Sequence, residues 1–361
     1  MPILRQDPLT GEWVIIATER ARRPETFDSK VEEREAPPPR VDSCPFCPGN
    51  EHQTPSEVLV YRKNGKNSEG AGKGVGELYL DDTDWDVRVI PNKFPALERD
   101  PNAPRKMPSS RCELFLSHQG YGVHEVIIET PWHNRHLAEL SVREVEMVLR
   151  SFQERTKALA RDVQLRYVQI FRNHKKEAGA SIEHPHCQLL ALSYIPPLLN
   201  KEYARSHDFY LEEGRCLLCS LIEMEEASGQ RVVLQNDRYI AYIPFAAPLP
   251  FSAIIAPREH YSSLEVSPAG WEKDLAPLLK RFLGILAEKL EDPPYNFYLH
   301  VAPLRTPPLA YFHWHLEIIP KLTVVAGWEM ATGTFINVTR PEEAADYLRM
   351  PRKEMAGALK S

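Results

Sequence analysis

Residues 180–190 read ASIEHPHCQLL, and the spacing of His184, His186 and Gln188 decides how the rest of the chain is read. A strand turns successive side chains to opposite faces, so these three polar groups would share one face while Pro185 and Cys187 take the other. At its blandest this is a half-buried strand with its polar side toward water. The alternative is a set of groups gathered for chemistry, and the test is whether the chain supplies partners for two histidines on one strand face.

The chain has 361 residues, of which 43% are hydrophobic, enough for two domains of ordinary size with a substantial core. No apolar run approaches the ~18–20 residues needed to span a bilayer, and the N-terminal MPILRQDPLTGEW lacks the basic-then-apolar layout of a secretion signal. A cytoplasmic protein without membrane contact is therefore expected. The formal net charge of −6 offers no general attraction to nucleic acid or anionic lipid, so the expected partners are small molecules or further copies of the chain.

Four of the six cysteines form two short pairs, CPFC (Cys44, Cys47) and CLLC (Cys216, Cys219). In a reducing compartment such pairs point to zinc or to redox chemistry, and two redox motifs without a βαβ setting would be unusual. Cys112 and Cys187 stand alone and read as small core residues.

Zinc takes four ligands, so each pair needs two more, most often histidines. After the first pair comes HEVIIETPWH, a strand-like run ending in His133; after the second comes FSAIIAPREH, ending in His260. A helix is expected next in each half. LSVREVEMVLRSFQERTKAL carries Ser141 and Glu144 as a capping box, and VSPAGWEKDLAPLLKRFLGIL carries Ser267 as cap with Pro268 in the first turn. The strands RYVQIFRN and YNFYLHVAP follow, and then each half delivers a His-x-His, HPHCQLLAL and HWHLEIIP. His133 precedes His184 by 51 residues and His260 precedes His313 by 53.

One order of features thus occurs twice, which reads as an internal duplication making two fused halves. Each half can build a zinc site, from Cys44, Cys47, His133 and His184, and from Cys216, Cys219, His260 and His313. His186 and His315 are left free beside the metal ligands. Other stretches say less: residues 63–77 read as a hairpin tip, 28–43 as a loop, and TRPEEAADYLRM as a terminal helix.

In DPLTGEWVIIATERARRP, CPFCPGN, IPNKFPAL, FRNHKKEAGASIEHPHCQ and AGWEMATGTFIN, taken in order, the chain resembles the galactose-1-phosphate uridylyltransferase family, the duplicated nucleotidyltransferase branch of the histidine triad superfamily. The resemblance implies an α+β fold of two histidine-triad-like halves, each an antiparallel sheet with helices. Residues 1–200 would form the half carrying HPHCQ, and residues 201–361 the half carrying the second metal site. It implies two structural zinc ions per chain and a homodimer acting on a nucleotide sugar and a sugar 1-phosphate.

By the same resemblance His186 is the nucleophile that carries a nucleotidyl group, and Gln188 donates to the phosphoryl oxygens. Arg20 and Arg23 would hold the nucleotide phosphates, Asn92 would contact the nucleotide, Asn173 and Ser181 the phosphates, and Glu329 sugar hydroxyls. The implied reaction moves UMP from UDP-glucose to galactose 1-phosphate through uridylyl-His186. Water as acceptor would make the protein a nucleotide-sugar hydrolase instead.

The chain departs from the best-known bacterial members at Lys93, where they carry aspartate, and at Thr323, Val324 and Phe335, where they carry lysine, phenylalanine and glutamine. GWEMATGTFIN is similar instead to the branch that includes plant ADP-glucose phosphorylase as well as many short bacterial and archaeal uridylyltransferases, which leaves the base open and makes an adenylyl donor the alternative. Other members bind their second metal through one Glu and three His, which align with Glu202, His300, His313 and His315, so two ligand sets compete for that site.

Overall fold

The first expected helix starts where its capping box places it. Glu144 N–H donates to Ser141 Oγ at 3.3 Å and Ser141 N–H to Glu144 Oε2 at 2.7 Å. The helix then buries Val145, Val148, Leu149 and Phe152, one stripe at helical spacing. The computed structural model describes residues 1–22, 37–62, 68–69, 84–99 and 119–351. Arg23, Cys112 and most of the 28–43 and 63–77 segments lie outside the described residues.

In chain order the elements are β1 (Ile3–Gln6), β2 (Trp13–Ile16), β3 (Leu59–Arg62), β4 (Ser68–Glu69), β5 (Trp85–Pro91), β6 (Gly122–Ile128), α1 (Val142–Leu159), β7 (Tyr167–His174), β8 (His186–Leu192), α2 (Pro197–Glu213) and α3 (Leu217–Ser228). They continue with β9 (Val232–Gln235), β10 (Tyr239–Tyr242), β11 (Ala253–Pro257), α4 (Trp271–Lys289), β12 (Tyr295–His300), β13 (His315–Pro320), α5 (Gly327–Thr332), β14 (Phe335–Asn337) and α6 (Pro341–Arg349). The fold is α+β.

The second helix starts later than its sequence suggests. Gly270, at φ 80°, takes the N-cap of α4, a conformation that suits a residue without Cβ. Ser267 is occupied elsewhere: its hydroxyl accepts Trp314 Nε1–H at 3.0 Å and donates to Ser263 O at 3.1 Å. A buried indole N–H needs a partner, and here it outcompetes the cap.

The expected half-sheets join edge to edge. One eleven-stranded antiparallel sheet runs β4-β3-β5-β6-β8-β7-β12-β13-β11-β10-β9, with Tyr295 opposite His174 at the join. Reading outward from that join, β7-β8-β6-β5 on one side answers β12-β13-β11-β10 on the other. The duplication therefore has a spatial axis between β7 and β12, and the two His-x-His strands, β8 and β13, each sit one strand in from it.

Cys187, Leu189 and Ala191 of β8 face a core shared with α1 and α4, while His186 and Gln188 turn to the opposite face. The N-terminal strands lie with the second half. β2 pairs in parallel with β14, Leu9 packs with Cys216, Leu217 and Ile254, and Val14 and Ile16 pack on Ala246. Among the described residues no helix is long and apolar enough to cross a membrane.

Candidate active site and metal centres

The CPFC turn, with Cys47 N–H bonded to Cys44 O at 3.2 Å, brings its two sulfurs beside His133 and His184. Cys47 Sγ lies 3.3 Å from His133 Nδ1 and 3.5 Å from His184 Nδ1, and all four donor atoms lie within 4.8 Å of one another. All four residues are buried. His184 Nε2–H donates to Thr130 O at 2.8 Å, which fixes the tautomer and turns the Nδ1 lone pair toward the sulfurs. Burial pushes His184 down to about 3, so the ring is neutral at pH 7, as a metal ligand would need to be. Burial also pushes the Cys47 thiol up to about 11, and a bound cation is what reverses that for a thiolate. The donor set, and the backbone bond that holds one of its rings, fit tetrahedral zinc.

The second half repeats the arrangement. Cys219 Sγ lies 3.4 Å from both His260 Nδ1 and His313 Nδ1, and His260 Nε2–H donates to Leu309 O at 2.9 Å. The competing set does not form as aligned, because His313 belongs to the cysteine cluster. Glu202, His300 and His315 instead gather with Glu317, again with donor atoms within 4.8 Å of one another. Burial alone would discharge His300, but the Glu202 carboxylate, 2.8 Å from Nδ1, outweighs it and holds the ring up to about 9. Glu317 is likewise held down to about 2: burial opposes its charge, and His315 and His300 restore it.

His186 begins β8, buried with the ring of Phe46 against it at 5.5 Å between centroids. Its Nδ1–H donates to His184 O at 2.8 Å, so the free lone pair is on Nε2. Burial lowers its pKa and keeps the ring neutral near pH 7. The carbonyl that orients His186 thus belongs to a residue of the candidate metal cluster. Gln188, two residues on, lies directly opposite Val126 of β6, and its Oε1 is 2.8 Å from Nε2 of His124. His124 opens the HEVIIETPWH run, yet nothing in the sequence marks it as a site residue. The signal is the strand register, which places it diagonally across from Gln188 on one face.

Asn92 joins this group: its N–H bonds His124 O at 2.8 Å, its Oδ1 accepts Phe94 N–H at 2.9 Å, and its Nδ2 lies 3.2 Å from His124 Nε2. Asn173 lies on β7, its Oδ1 accepting Asn296 Nδ2–H at 2.8 Å. Ser181 is exposed in the loop before β8, and Arg20 is exposed in a short 3-10 turn. Glu329 lies on α5, where its Oε2 accepts Ala326 N–H at 3.0 Å.

Residues 79–196 match the family described as galactose-1-phosphate uridyl transferase, N-terminal domain, and residues 199–358 match its C-terminal domain. The chain is 34% identical to an ADP-glucose phosphorylase of Arabidopsis thaliana over 96% of this chain and 92% of that one. It is 30% identical to a galactose-1-phosphate uridylyltransferase of Thermotoga maritima over 98% and 99%. A solved Arabidopsis thaliana ADP-glucose phosphorylase with bound ADP-glucose superposes with a TM-score of 0.79 at 32% identity, covering 97% of this chain and 99% of that one. Fold and comparisons together define a nucleotidyltransferase built as a duplicated α+β chain. It belongs to the galactose-1-phosphate uridyl transferase family.

Proposed function

We propose that the chain transfers a nucleotidyl group from a nucleoside diphosphate hexose to a phosphate-bearing acceptor through a covalent bond to His186. The observation that carries this reading is the His186 Nδ1–H bond to His184 O, which leaves an unprotonated Nε2 on a buried, fixed ring. The Nε2 lone pair attacks the α-phosphorus, the bond from that phosphorus to the bridging oxygen breaks, and hexose 1-phosphate leaves. An oxygen of the acceptor then attacks the same phosphorus and the P–N bond breaks. Gln188 offers its amide N–H to the phosphoryl oxygens as charge builds on them. Zinc, when bound, holds His184 and with it the carbonyl that orients the nucleophile.

ADP-glucose is the donor this reading favours over UDP-glucose. The support is the GWEMATGTFIN segment, the departures at Lys93, Thr323, Val324 and Phe335, and the kinship with a relative named ADP-glucose phosphorylase. For that donor inorganic phosphate or a sugar phosphate is the acceptor; for UDP-glucose it is galactose 1-phosphate.

The deciding experiment incubates the enzyme with α-³²P-labelled ADP-glucose and, separately, UDP-glucose. Label that stays on protein, stable to base and labile to acid, is the phosphoramidate expected on histidine. Protein left unlabelled by both donors would defeat the covalent reading, and preferential labelling by UDP-glucose would reverse the assignment of the base.

A further inference from the structure

An amide presents either a donor or an acceptor, and a phosphoryl oxygen tolerates only the donor, so something must choose which end of Gln188 faces the substrate. Three contacts meet at His124. Its Nδ1 is 3.2 Å from the backbone nitrogen of Ala96, its Nε2 is 2.8 Å from Gln188 Oε1, and Nε2 is also 3.2 Å from Asn92 Nδ2. The Ala96 N–H is fixed by the backbone and can only donate, so the Nδ1 facing it must carry the lone pair. In the neutral ring the proton then sits on Nε2 and is given to Gln188 Oε1.

The opposite arrangement fails on the same contact. Were the Gln188 amide reversed, it would donate to an Nε2 lone pair, the ring proton would move to Nδ1, and two donors would face each other at Ala96. The Asn92 NH₂, 3.2 Å from the same Nε2, is a second donor that would favour a lone pair there, but it sits on a rotatable side chain that can turn its hydrogens aside, whereas the Ala96 N–H is held in place by the backbone.

We infer that His124 is a positioning residue: relaying the direction of one backbone N–H, it locks the Gln188 oxygen away and leaves only the Gln188 NH₂ for the phosphoryl group. This rests on the proposed role of Gln188 in nucleotidyl transfer. His124 acts through Gln188 and touches no reacting atom itself.

The test compares single-turnover labelling rates of wild type, His124→Phe, His124→Gln, Gln188→Ala and the His124→Phe/Gln188→Ala pair. His124→Phe should slow labelling about tenfold, the upper range for one net hydrogen bond, with donor KM moved less than about twofold. His124→Gln, which keeps a donor near the Nε2 position, should recover most of the rate. In the Gln188→Ala background His124→Phe should change the rate by less than about twofold, because the group it orients is gone. Losses that simply multiply, or a defect confined to KM, would overturn the inference.

¹⁵N NMR of the substrate-free enzyme gives a second readout that does not need turnover. The Nε2–H tautomer of His124 is expected, and an Nδ1–H tautomer would overturn the relay whether or not either donor labels the protein. Failure of labelling in wild type with the Nε2–H tautomer present would instead count against the proposed function while supporting the orientation of the amide.

Discussion

Changing Glu129 to Gln should destabilise the enzyme more than any surface substitution, by an amount that follows from its surroundings. Glu129 and Arg172 are both buried to about 1% exposure or less. Arg172 Nε and Nη2 donate to the two carboxylate oxygens at 2.7 and 3.1 Å, Nη1 donates to Tyr295 Oη at 2.9 Å, and Cys187 Sγ–H donates to Glu129 Oε1 at 3.0 Å. The Glu129→Gln substitution would leave the guanidinium without a counter-charge in a dry site and set an amide NH₂ against its N–H groups. Breaking a buried pair in this way costs about 3–5 kcal/mol. With an unfolding entropy of about 2.1 cal/mol/K per residue, a chain of this length should lose about 4–7 °C in Tm.

Scanning calorimetry at pH 7 on the zinc-loaded enzyme measures the shift. The Glu129→Met/Arg172→Met pair supplies the control, since removing both charges should cost less than removing one. A Tm within about 1 °C of wild type for Glu129→Gln, or a double variant worse than the single, would refute the reasoning.

His184→Ala should lose one zinc per chain by elemental analysis and lower Tm, whereas His186→Ala should keep its zinc and Tm and lose labelling; unchanged zinc in His184→Ala would remove that residue from the ligand set. His315→Ala should leave the nucleotidyl adduct at one per chain on His186, because Glu317 Oε1 already lies 3.4 Å from His315 Nε2; an adduct on His315 in wild type, located by peptide mass spectrometry, would contradict this. Asp7 is raised to about 6, chiefly by burial. It binds its proton more tightly folded than unfolded, so its contribution to stability is full below about pH 4 and lost as pH rises through 6. Asp7→Asn should therefore gain in Tm relative to wild type between about pH 4 and pH 7, and a constant difference across that range would refute the assignment.

The repeat is legible in the sequence because cysteine and histidine are few, chemically distinctive and here tied to strand ends; both Cys2His2 clusters assemble from the residues that spacing pairs. The start of α1 is legible for a related reason, since Ser141 and Glu144 cap locally. Ser267 misleads because its partner, the indole of Trp314, is brought to it only by the tertiary fold. The join of β7 to β12 leaves no mark in the sequence either, as strand order is set by how two half-sheets meet. The exclusion of His313 from the carboxylate cluster has the same kind of cause: two ligand sets claim one residue, and only the backbone can divide them.

The two halves also bear on why the proposed nucleophile is expected in only one of them. In each, the second histidine of the motif lies near the carbonyl of the first, 2.8 Å for His186 Nδ1 and 3.3 Å for His315 Nδ1, so the backbone device survives in both. The side chains around it do not. Register places Gln188 opposite Val126 and Glu317 opposite Ile254, which makes Ser252, two residues before Ile254, the counterpart of His124. Ser252 turns its hydroxyl to Leu249 O at 2.8 Å and so orients nothing on β13. Glu317 needs no orienting group, because both ends of a carboxylate are acceptors; it takes a hydrogen bond from Tyr298 at 2.8 Å and faces His315. The amide and the imidazole that aims it are thus present together in one half and absent together in the other, as expected if His124 serves Gln188 rather than the packing of the strand.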